Sequence, residues 1–506
     1  MYKPLYEGYQ EGLKLFNAVD FDDLIGLPIK LFHEHPEVLE KYRNRYKYIM
    51  VDEFQDTSLQ QYEFMHLLAD KNVAVVGDDD QSIYSWRGAN YENILQFERD
   101  FPDVKEIRLE QNYRSTETIL AAANGVIAHN TNRKDKSLWS GNGSGKPIEI
   151  FMPENEAAEA DFIAESIMGI AVNEKRKYDD FGVLIRANTL TRAIEEAFLQ
   201  FNIPYTMSGG TSFFQRKEIK DIISYLRVIA NHDDDINLLR IINTPRRGIG
   251  RKTIEQINEI AVSQKCSLWT SITALLSVQE CPLGEKTRQD LQSFVDFITA
   301  QRATLLGGKG LAKKVRAMVE DINYWDFLIT EYQKNEKAAR FKFLNIESLI
   351  NSIETWENNP DNYDSGLYSY LNRITLLSRG DMEDEGIKGK VNLMTIHASK
   401  GLEFPIVFIA GAEDGIIPHA RCIEEDPNNI EEERRLFYVA ITRAQDKLFI
   451  SSCQKRRKMQ SVVDCVPSPF LDEIPANLVE YHEPNKEVSV DKALEILEQL
   501  KNKFCI

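Results

Sequence analysis

A chain of 506 residues is too long for one hydrophobic core, so we expect two to four domains. Its composition, 43% hydrophobic and 28% charged, is that of a globular protein, and the lack of a bilayer-spanning apolar run and of a signal peptide predicts a cytoplasmic location. The net charge of −18 argues against a uniformly basic nucleic-acid-binding protein, although a locally positive groove suffices for such binding.

The first predicted elements are a helix over Leu5–Val19 and a strand over Tyr48–Val51. Four apolar residues in a row predict a strand buried in a parallel sheet, and Asp52 and Glu53 follow where that strand ends. Ligands bind at the carboxyl ends of strands in open α/β sheets. Asp52 is therefore suited to hold Mg²⁺, and Glu53 to orient or deprotonate a water molecule. A solvated acidic turn is the alternative for these two residues taken alone.

A second apolar strand, Val73–Val76, leads into a stretch that combines acids, an amide and aromatic residues. Gln81 lies near the strand end, and Tyr84, Trp86 and Arg87 follow it. Carboxylates and an amide suit phosphate chemistry, whereas aromatic rings and a guanidinium suit the stacked bases of a single strand. The pattern predicts a phosphate site and a nucleic-acid site beside each other.

A third stretch, Leu109–Ser115, contains Tyr113 and Arg114. Together with the stretches around Asp52 and Gln81, it makes the chain resemble the superfamily 1 helicases of the Rep, UvrD and PcrA type, most closely the Rep branch. The resemblance recurs near the C-terminus and covers nearly the whole chain. It implies an ATP-dependent DNA helicase that moves 3′ to 5′ on single-stranded DNA in replication or repair.

The glycine-rich P-loop of that family cradles phosphates with backbone NH groups and a lysine, and it would precede Met1, so we expect this chain to lack it. The only near match is Gly141–Pro147. Pro147 stands where the P-loop has a Ser or Thr hydroxyl, and it biases Lys146 away from helical geometry. The stretch also precedes the strand-like Ile148–Phe151 instead of following a strand. We interpret it as a flexible turn.

A second α/β unit begins at about Arg108. Helices are predicted over Glu154–Ile170 and Thr191–Gln200, on either side of a buried strand over Phe181–Ile185. From residue 209 to residue 389 the composition is helical and polar, which predicts an all-helical insertion.

Within that insertion, Asn243–Thr253 contains a Gly-Ile-Gly turn surrounded by cations. Gly248 and Gly250 would let backbone NH groups approach a phosphate, and the next helix would point its dipole at the anion. Arg246 and Arg247 are the candidate cationic contacts. A plain interhelical turn with solvated charges is an equal alternative from the residues alone. Resemblance to the helix-hairpin-helix element of the family's mobile domain favours contact with duplex DNA.

The strand signal returns in Val391–Phe404. Thr395, His397 and Ser399 offer small polar groups to a nucleic-acid phosphate after a strand, and Glu403 is suited to accept a hydrogen bond from a ribose hydroxyl. A lone histidine is more often structural than a ligand contact. The stretch resembles the fifth motif of the family, however, and this favours a DNA contact for His397.

A helix is predicted over Glu431–Ala444, in which Arg435 and Arg443 are far enough apart that only one need face a nucleotide. The acidic triplet at its start is expected to pair with neighbouring cations. The last predicted element is a short amphipathic helix over Asp491–Lys503.

The family resemblance implies an α/β fold of two RecA-like lobes, the first incomplete, with an all-helical domain inserted in the second. The expected bounds are 1–107 for the first lobe, 108–208 and 390–476 for the second, 209–389 for the insertion and 477–506 for a C-terminal tail. ATP and Mg²⁺ would lie between the lobes. Asp52 would bind Mg²⁺, Glu53 would be the base for the attacking water, Gln81 would sense the γ-phosphate, and Arg114 and Arg443 would act as arginine fingers.

The resemblance also implies the binding residues and partners. Tyr113 would stack on adenine, and Glu403 would contact ATP. The residues expected to line the single-strand path are Tyr84, Trp86, Arg87, Thr395, His397 and Ser399. The residues expected to contact duplex DNA are Arg246, Arg247, Gly248 and Gly250. The expected partners are single-stranded DNA, junctions of single and double strands, and other replication or repair proteins.

Two other classes of function stay open from the sequence. Without a P-loop, the chain is either a fragment of a longer helicase or a degenerate relative, and an ATP-independent DNA-binding or scaffold protein is therefore the second hypothesis. A helicase-nuclease subunit is the third, and it ranks last because no acid-rich nuclease motif follows Arg443.

Overall fold

The computed structural model describes residues 3–482 apart from 16–17, 70–71, 91, 132, 135, 210–211, 279–282, 308, 334, 359–365, 380–388, 427–428 and 459–460. The predicted helix over Asp491–Lys503 lies outside the described residues. Among those that are described, no helix is both long and apolar enough to cross a lipid bilayer.

The N-terminal region consists of short helices and a two-stranded parallel sheet. Its elements are α1 Lys3–Leu15, α2 Asp23–Glu34, α3 Pro36–Arg45, β1 Ile49–Val51, α4 Leu59–Leu68, β2 Val73–Val75 and α5 Glu92–Asp100. In the sheet, Ile49 lies opposite Val73. Ser58 caps α4, because its hydroxyl accepts from the backbone NH of Gln61 while the Gln61 side chain accepts from the backbone NH of Ser58.

The prediction that the strand before Asp52 is buried is wrong, because β1 is covered on one face only. That face lies against a small core that includes Phe54 and Tyr62. On the other face Met50 is 78% exposed, and the preceding Tyr48 is 83% exposed. An apolar run predicts a strand, but it does not tell how many of the strand's faces meet a packing partner.

The second α/β region begins with β3 Gln111–Asn112, α6 Glu117–Ile127 and β4 Trp139–Ser140, of which β3 and β4 pair as a separate parallel sheet. It continues with β5 Ile148–Phe151, α7 Glu156–Asn173, β6 Phe181–Ile185, α8 Thr191–Gln200 and β7 Tyr205–Ser208. The chain returns to this region after residue 390 with β8 Val391–Thr395, β9 Phe404–Ala410, α18 Ala420–Glu425, α19 Ile430–Ile441, β10 Ala444–Ser451, β11 Lys455–Lys458, β12 Ser461–Asp464 and β13 Val479–His482.

Seven of these strands form one large sheet in the order β13-β5-β10-β9-β6-β8-β7, and all neighbouring strands are parallel. Every residue of the central β6 is buried, because one core lies on each face of the sheet. A side chain at Gly182 would not fit, since a Cβ there would lie 2.5 Å from the Phe404 ring.

The segment expected to be a C-terminal tail, residues 477–506, contains one strand among its described residues. Residues Val479–His482 form β13, which pairs in parallel with β5 at the edge of the large sheet. The strand is short and mostly exposed, so its sequence has none of the apolar continuity of a central strand.

Between β7 and β8, the described residues contain only helical elements, here called the helical segment. They are α9 Lys217–Ala230, α10 Asp235–Ile241, α11 Arg251–Gln264, α12 Leu268–Ser277, α13 Glu285–Leu305, α14 Leu311–Asp321, α15 Tyr324–Glu331, α16 Glu336–Glu357 and α17 Leu367–Arg379. These helices bury a core of their own around α9, whose residues from Ile219 to Ala230 are mostly buried.

Candidate nucleotide cleft and nucleic-acid cavity

Asp52 and Glu53 lie at the carboxyl end of β1, as the sequence predicts, and both are exposed. Glu53 has a φ of 50°, which is unusual for a residue with a side chain. The buried Gln55 fixes its carboxylate, because Gln55 Nε2 donates to Glu53 Oε2 at 2.6 Å. The Oε1 atom of Gln55 accepts from the backbone NH of Asp78 at 3.0 Å. One amide therefore joins the ends of β1 and β2 and holds the candidate base.

Sequence reasoning missed Gln55, although it lies only two residues after Glu53. A further signal is Gly77, where a Cβ would lie 2.5 Å from Gln55 Oε1. The small residue at the end of β2 leaves room for the amide.

Gln81 lies at the junction of the N-terminal region and the large-sheet region. Its Nε2 donates to Asp78 Oδ2 at 2.7 Å, which orients the amide. The Oε1 atom of Gln81 lies 3.5 Å from Nη2 of Arg443, a residue between α19 and β10. The structure therefore brings two of the predicted catalytic residues together across the junction.

Arg443 is almost fully buried, at 1% exposure. Its guanidinium donates to the carbonyl groups of Val439 at 2.9 Å and Leu402 at 3.1 Å, and to the Thr442 hydroxyl at 3.0 Å. Burial and the neighbouring cation of Arg114 lower the pKa of Arg443 to about 10. The side chain is thus a positioned cation at neutral pH, held in place by the backbone of its own region.

Arg114 lies beside Arg443 and is bound to Glu403. Its Nε donates to Glu403 Oε2 at 2.6 Å, and its Nη1 donates to the carbonyl of Thr442 at 3.3 Å. The hydrogen bond from Arg114 lowers the pKa of Glu403. Tyr113 is 77% exposed, so its ring face is free to be covered by a planar ligand. Arg114 and Glu403 are therefore joined to each other, with Tyr113 directly before Arg114 in the chain. The space at the junction around Glu53, Gln81, Arg443 and this pair is here called the cleft.

Lys400 is a cleft residue that the sequence analysis did not single out. It is 6% exposed in its side chain, and its Nζ lies 2.5 Å from Asp56 Oδ2, 2.7 Å from the Gln81 carbonyl and 3.6 Å from Glu53 Oε2. Burial raises the pKa of Asp56, and Lys400 opposes that rise. The signal was its place beside Ser399 in a stretch of small polar residues.

Two acidic groups at the strand ends differ in whether they suit a metal ion. Asp52 is exposed, and the one hydrogen bond it accepts among the described residues is from the backbone NH of Glu53, so a carboxylate oxygen is available to a cation such as Mg²⁺. The acids from Asp78 to Asp80 lie close together but are already neutralised, because Lys136 pairs with all three and Arg133 with Asp80. The donor set at Asp52 fits Mg²⁺, whereas the triplet serves to hold two cations.

A cavity of about 600 Å³ lies next to the cleft, and it is lined by five of the six residues predicted for the single-strand path: Tyr84, Trp86, Arg87, Thr395 and His397. The rings of Trp86 and Tyr84 both lie 6.1 Å from the ring of His397. The Arg87 guanidinium lies 4.7 Å from the Trp86 ring centroid. Trp86 is 64% exposed, which leaves its face open to a base.

His397 is neutral at neutral pH, because burial and the nearby Arg186 cation lower its pKa to about 4. Arg186, which the sequence analysis did not name, is held by Glu433 at 2.7 Å. In the acidic triplet, Glu433 pairs with Arg186, and Glu431 lies 3.8 Å from Arg435. The prediction that the triplet pairs with cations is therefore confirmed for these two acids.

The expectation for Ser399 is wrong in this structure. Its side chain is fully buried, its hydroxyl donates to the Ile396 carbonyl at 2.7 Å, and it does not line the cavity. The hydroxyl closes a turn after β8, and no exposed atom of it is left for a phosphate.

The Gly-Ile-Gly turn presents only part of its predicted contacts. Arg246 and Gly248 are exposed, and Gly248 has a φ of 74°, which favours glycine. Gly250 is exposed and precedes α11. Arg247 instead points inward, where it donates to the Ile241 carbonyl at 3.0 Å and to the hydroxyl of Tyr225 at 2.5 Å. The guanidinium of Arg247 is therefore occupied within the helical segment, and its contact with DNA stays a prediction.

Comparison with known proteins agrees with this arrangement. Residues 1–102 match the UvrD/REP helicase N-terminal domain, and residues 107–455 match the UvrD-like helicase C-terminal domain. The chain belongs to the UvrD-like helicase family.

Among its relatives are proteins named ATP-dependent DNA helicase PcrA. The chain is 43% identical to that of Staphylococcus epidermidis over 495 residues, and 42% identical to that of Staphylococcus aureus strain Mu50 over 497 residues. Each match covers 97% of this chain, which spans 66% of the length of the relative. A nearer relation to Rep stays a prediction.

A solved structure, described as the C-terminal domain of a possible DNA helicase from Lactobacillus plantarum WCFS1, covers 74% of this chain and 99% of its own, with 11% identity and a TM-score of 0.26. A similarity this low adds nothing on the fold.

Proposed function

We propose that this chain acts in an ATP-dependent DNA helicase that moves 3′ to 5′ on single-stranded DNA. The observation that carries the proposal is the contact between Gln81 and Arg443 at the junction of the two regions, with Glu53 close by. A phosphoryl group bound there would meet carboxylates from one region and arginines from the other. The relatives named ATP-dependent DNA helicase PcrA support the same proposal.

On this proposal each cleft residue has a separate task. Asp52 holds Mg²⁺, which shields phosphate charge, and Glu53 takes the proton from the attacking water, with its carboxylate aimed by Gln55. Arg443 and Arg114 neutralise charge that develops on the transferred phosphoryl group. Gln81 connects the two sides.

The nucleotide base has a place at the rim of the same cleft. Tyr113 offers an exposed ring for adenine, and Glu403 lies beside it, already bound to Arg114. A ribose hydroxyl that donates to Glu403 would compete with Arg114, which would release that guanidinium toward the phosphates.

The adjacent cavity is proposed to hold single-stranded DNA. Trp86 and Tyr84 supply stacking surfaces, and Arg87 supplies a cation over the Trp86 ring. The neutral His397 adds a ring without adding charge. The exposed Arg246 in the turn of the helical segment is proposed to meet duplex DNA.

The test is a steady-state ATPase assay with and without single-stranded DNA, on the chain extended at its N-terminus by the P-loop segment of a PcrA relative. We expect DNA-stimulated hydrolysis that Glu53→Gln abolishes and that Glu11→Gln, an exposed glutamate of α1, leaves unchanged. Equal activity of the Glu53→Gln and Glu11→Gln proteins would overturn the proposal.

DNA binding without hydrolysis is the second candidate for residues 1–506 alone, because this sequence contains no GxxxxGK[ST] loop. Contrary to the expectation that no strand precedes it, the near match at Gly141–Lys146 follows the two-residue β4. It leads into β5, not into a helix. We therefore expect the unextended chain to bind DNA in a salt-sensitive way without DNA-stimulated ATPase. Glu53-dependent hydrolysis by the unextended chain would contradict this and would direct attention to Gly141–Lys146.

A further inference from the structure

A second cavity, of about 250 Å³, lies apart from the cleft, between the large-sheet region and the helical segment. One wall is β7 and the chain that follows it, with Tyr205 and Phe214. The other walls are α9 and α10, which contribute Lys220 and Arg240. None of the proposed nucleotide or DNA residues lines it.

Every charged side chain that is described as lining this cavity is a cation. Lys220, Arg227 and Arg240 line it, and no Asp or Glu does so. Lys220 and Arg227 are seven positions apart on α9, so the helix presents both on one face. No acid among the described residues lies within ion-pair distance of Lys220. A cation left without a carboxylate beside a cavity favours an anionic occupant.

Arg240 is positioned while keeping donors available. Its Nε donates to Asp221 Oδ1 at 2.7 Å, and the other oxygen of Asp221 accepts from the Tyr324 hydroxyl at 2.7 Å. The Arg240 Nη2 donates to the Lys217 carbonyl at 3.2 Å. This leaves Nη1 for a ligand, so the guanidinium is fixed in direction before any ligand binds.

The size and the remaining surface restrict the ligand. A volume of 250 Å³ corresponds to roughly eight water molecules, which is below the range of most drug-sized sites. Tyr205 and Phe214 also line the cavity, and aromatic rings offer flat apolar surface. A small anion with a planar or apolar body matches both features.

We propose that this cavity binds the phosphate group of a small phosphate ester, with a nucleoside monophosphate as the representative, through Lys220 and Arg240. The site is separate from the proposed nucleotide cleft and is independent of ATP hydrolysis. Because its walls come from β7 on one side and from α9 and α10 on the other, an occupant ties the helical segment to the large sheet.

The test is isothermal titration of the 506-residue chain with AMP and, separately, with inorganic phosphate. We expect saturable binding, and at least a tenfold loss of affinity in Lys220→Gln, since a charge-assisted hydrogen bond is worth about 1.5 to 3 kcal/mol, which converts to that factor or more. Lys313→Gln removes an exposed lysine of α14 in the same segment and serves as the charge-matched control.

Ile236→Trp provides a second variant, because Ile236 is 84% exposed at the rim and a larger side chain there blocks entry without disturbing the core. We expect it to reduce AMP binding as Lys220→Gln does. Both variants should weaken the binding of inorganic phosphate as well, which has no base for the cleft, and this separates the site from the fate of the helicase proposal.

A tailed DNA duplex at saturating concentration identifies the source of the phosphate. Competition with AMP assigns the site to a backbone phosphate of DNA, and lack of competition assigns it to a free ester; either result supports the site. The proposal is overturned if neither AMP nor inorganic phosphate binds saturably up to about 10 mM, a limit that corresponds to only a few kcal/mol. It is also overturned if Lys220→Gln and Lys313→Gln bind AMP equally.

Discussion

Arg443 in the cleft and Arg247 in the Gly-Ile-Gly turn are held in the same way but differ in what lies beyond them. Both guanidinium groups donate to backbone carbonyl groups of their own region. Arg443 also reaches Gln81 in another region, whereas every contact recorded for Arg247 is within the helical segment. A cation in a motif is therefore available to a ligand only where one of its hydrogen-bond donors points away from its own region.

The largest expected effect concerns the cleft side of this comparison. In the P-loop-extended chain, Arg443→Ala and Arg114→Ala should each lower ATP turnover by about 10³ to 10⁵, because the lost charge acts only in the transition state. Arg443→Lys should not restore activity, since a single ammonium nitrogen cannot reach the four acceptors that the planar guanidinium contacts from three separate nitrogens. Single-strand binding should persist in all three proteins. Turnover close to the parent for both alanine variants would remove the assigned roles.

The role of Arg247 inside the helical segment is tested by measuring stability. Arg247→Ala should destabilise the helical segment by about 2 to 4 kcal/mol, because it leaves buried carbonyl groups and the Tyr225 hydroxyl without their donor. Arg246→Ala, the exposed neighbour, should change stability by less than about 0.5 kcal/mol. Hydrogen exchange of the α9 and α11 amides measures both values. A loss of duplex binding with unchanged exchange in Arg247→Ala would show that its guanidinium turns outward in solution.

A third arrangement of a cation is found in the cavity of about 600 Å³, where Arg87 lies over the exposed ring of Trp86. Trp86→Ala should weaken single-strand binding by about 1 to 3 kcal/mol per stacked base, whereas Trp139→Ala, also half-exposed, should not. Charge reversal at Arg246 and Arg251 should instead weaken binding to tailed duplex and lower the salt slope by about 0.9 per lost contact. Equal losses on both substrates from both changes would mean that the turn has no separate DNA role.

The smallest expected effect is a pH dependence from His397. Its pKa is about 4 in the folded protein and near 6.5 when unfolded, so the unfolded chain binds more protons between these values. The contribution of the neutral ring is complete above about pH 6.5 and is lost as the pH falls toward 4. Between pH 7.5 and about 5.8 we expect the parent to lose about 1 kcal/mol more stability than His397→Gln, measured by urea unfolding. An identical pH dependence of the two proteins would show that the ring is already solvated.

The sequence predicted the elements better than their surroundings. Tyr48–Val51 and Phe181–Ile185 have the same apolar pattern, yet Met50 is mostly exposed and Val183 is fully buried. Periodicity records which residues avoid water, whereas burial also depends on partners distant in sequence. The short edge strand Val479–His482 was missed for the related reason that it is held by backbone pairing and not by apolar side chains.

The same limit applies to the candidate site. Residue types at strand ends placed Asp52, Glu53 and Gln81 correctly in one neighbourhood, because parallel strands end at a common edge. Side-chain direction was beyond that reasoning, so Ser399 and Arg247 were predicted to face DNA although both donate to carbonyl groups inside the protein. Lys400 was overlooked because its partner Asp56 lies in another region, and Gln55 because its role depends on the direction of its side-chain amide.

Lys400 lies between the cavity and the candidate base, Glu53. Its ammonium lies 5.4 Å from the ring centroid of Tyr84, which lines the cavity, and 3.6 Å from Glu53 Oε2. A base that displaces the Tyr84 ring removes one of the attractions on that ammonium and shifts the balance toward the carboxylates. Lys400 therefore joins a wall of the cavity to the carboxylate of Glu53 through one buried charge, over the reach of a single lysine side chain.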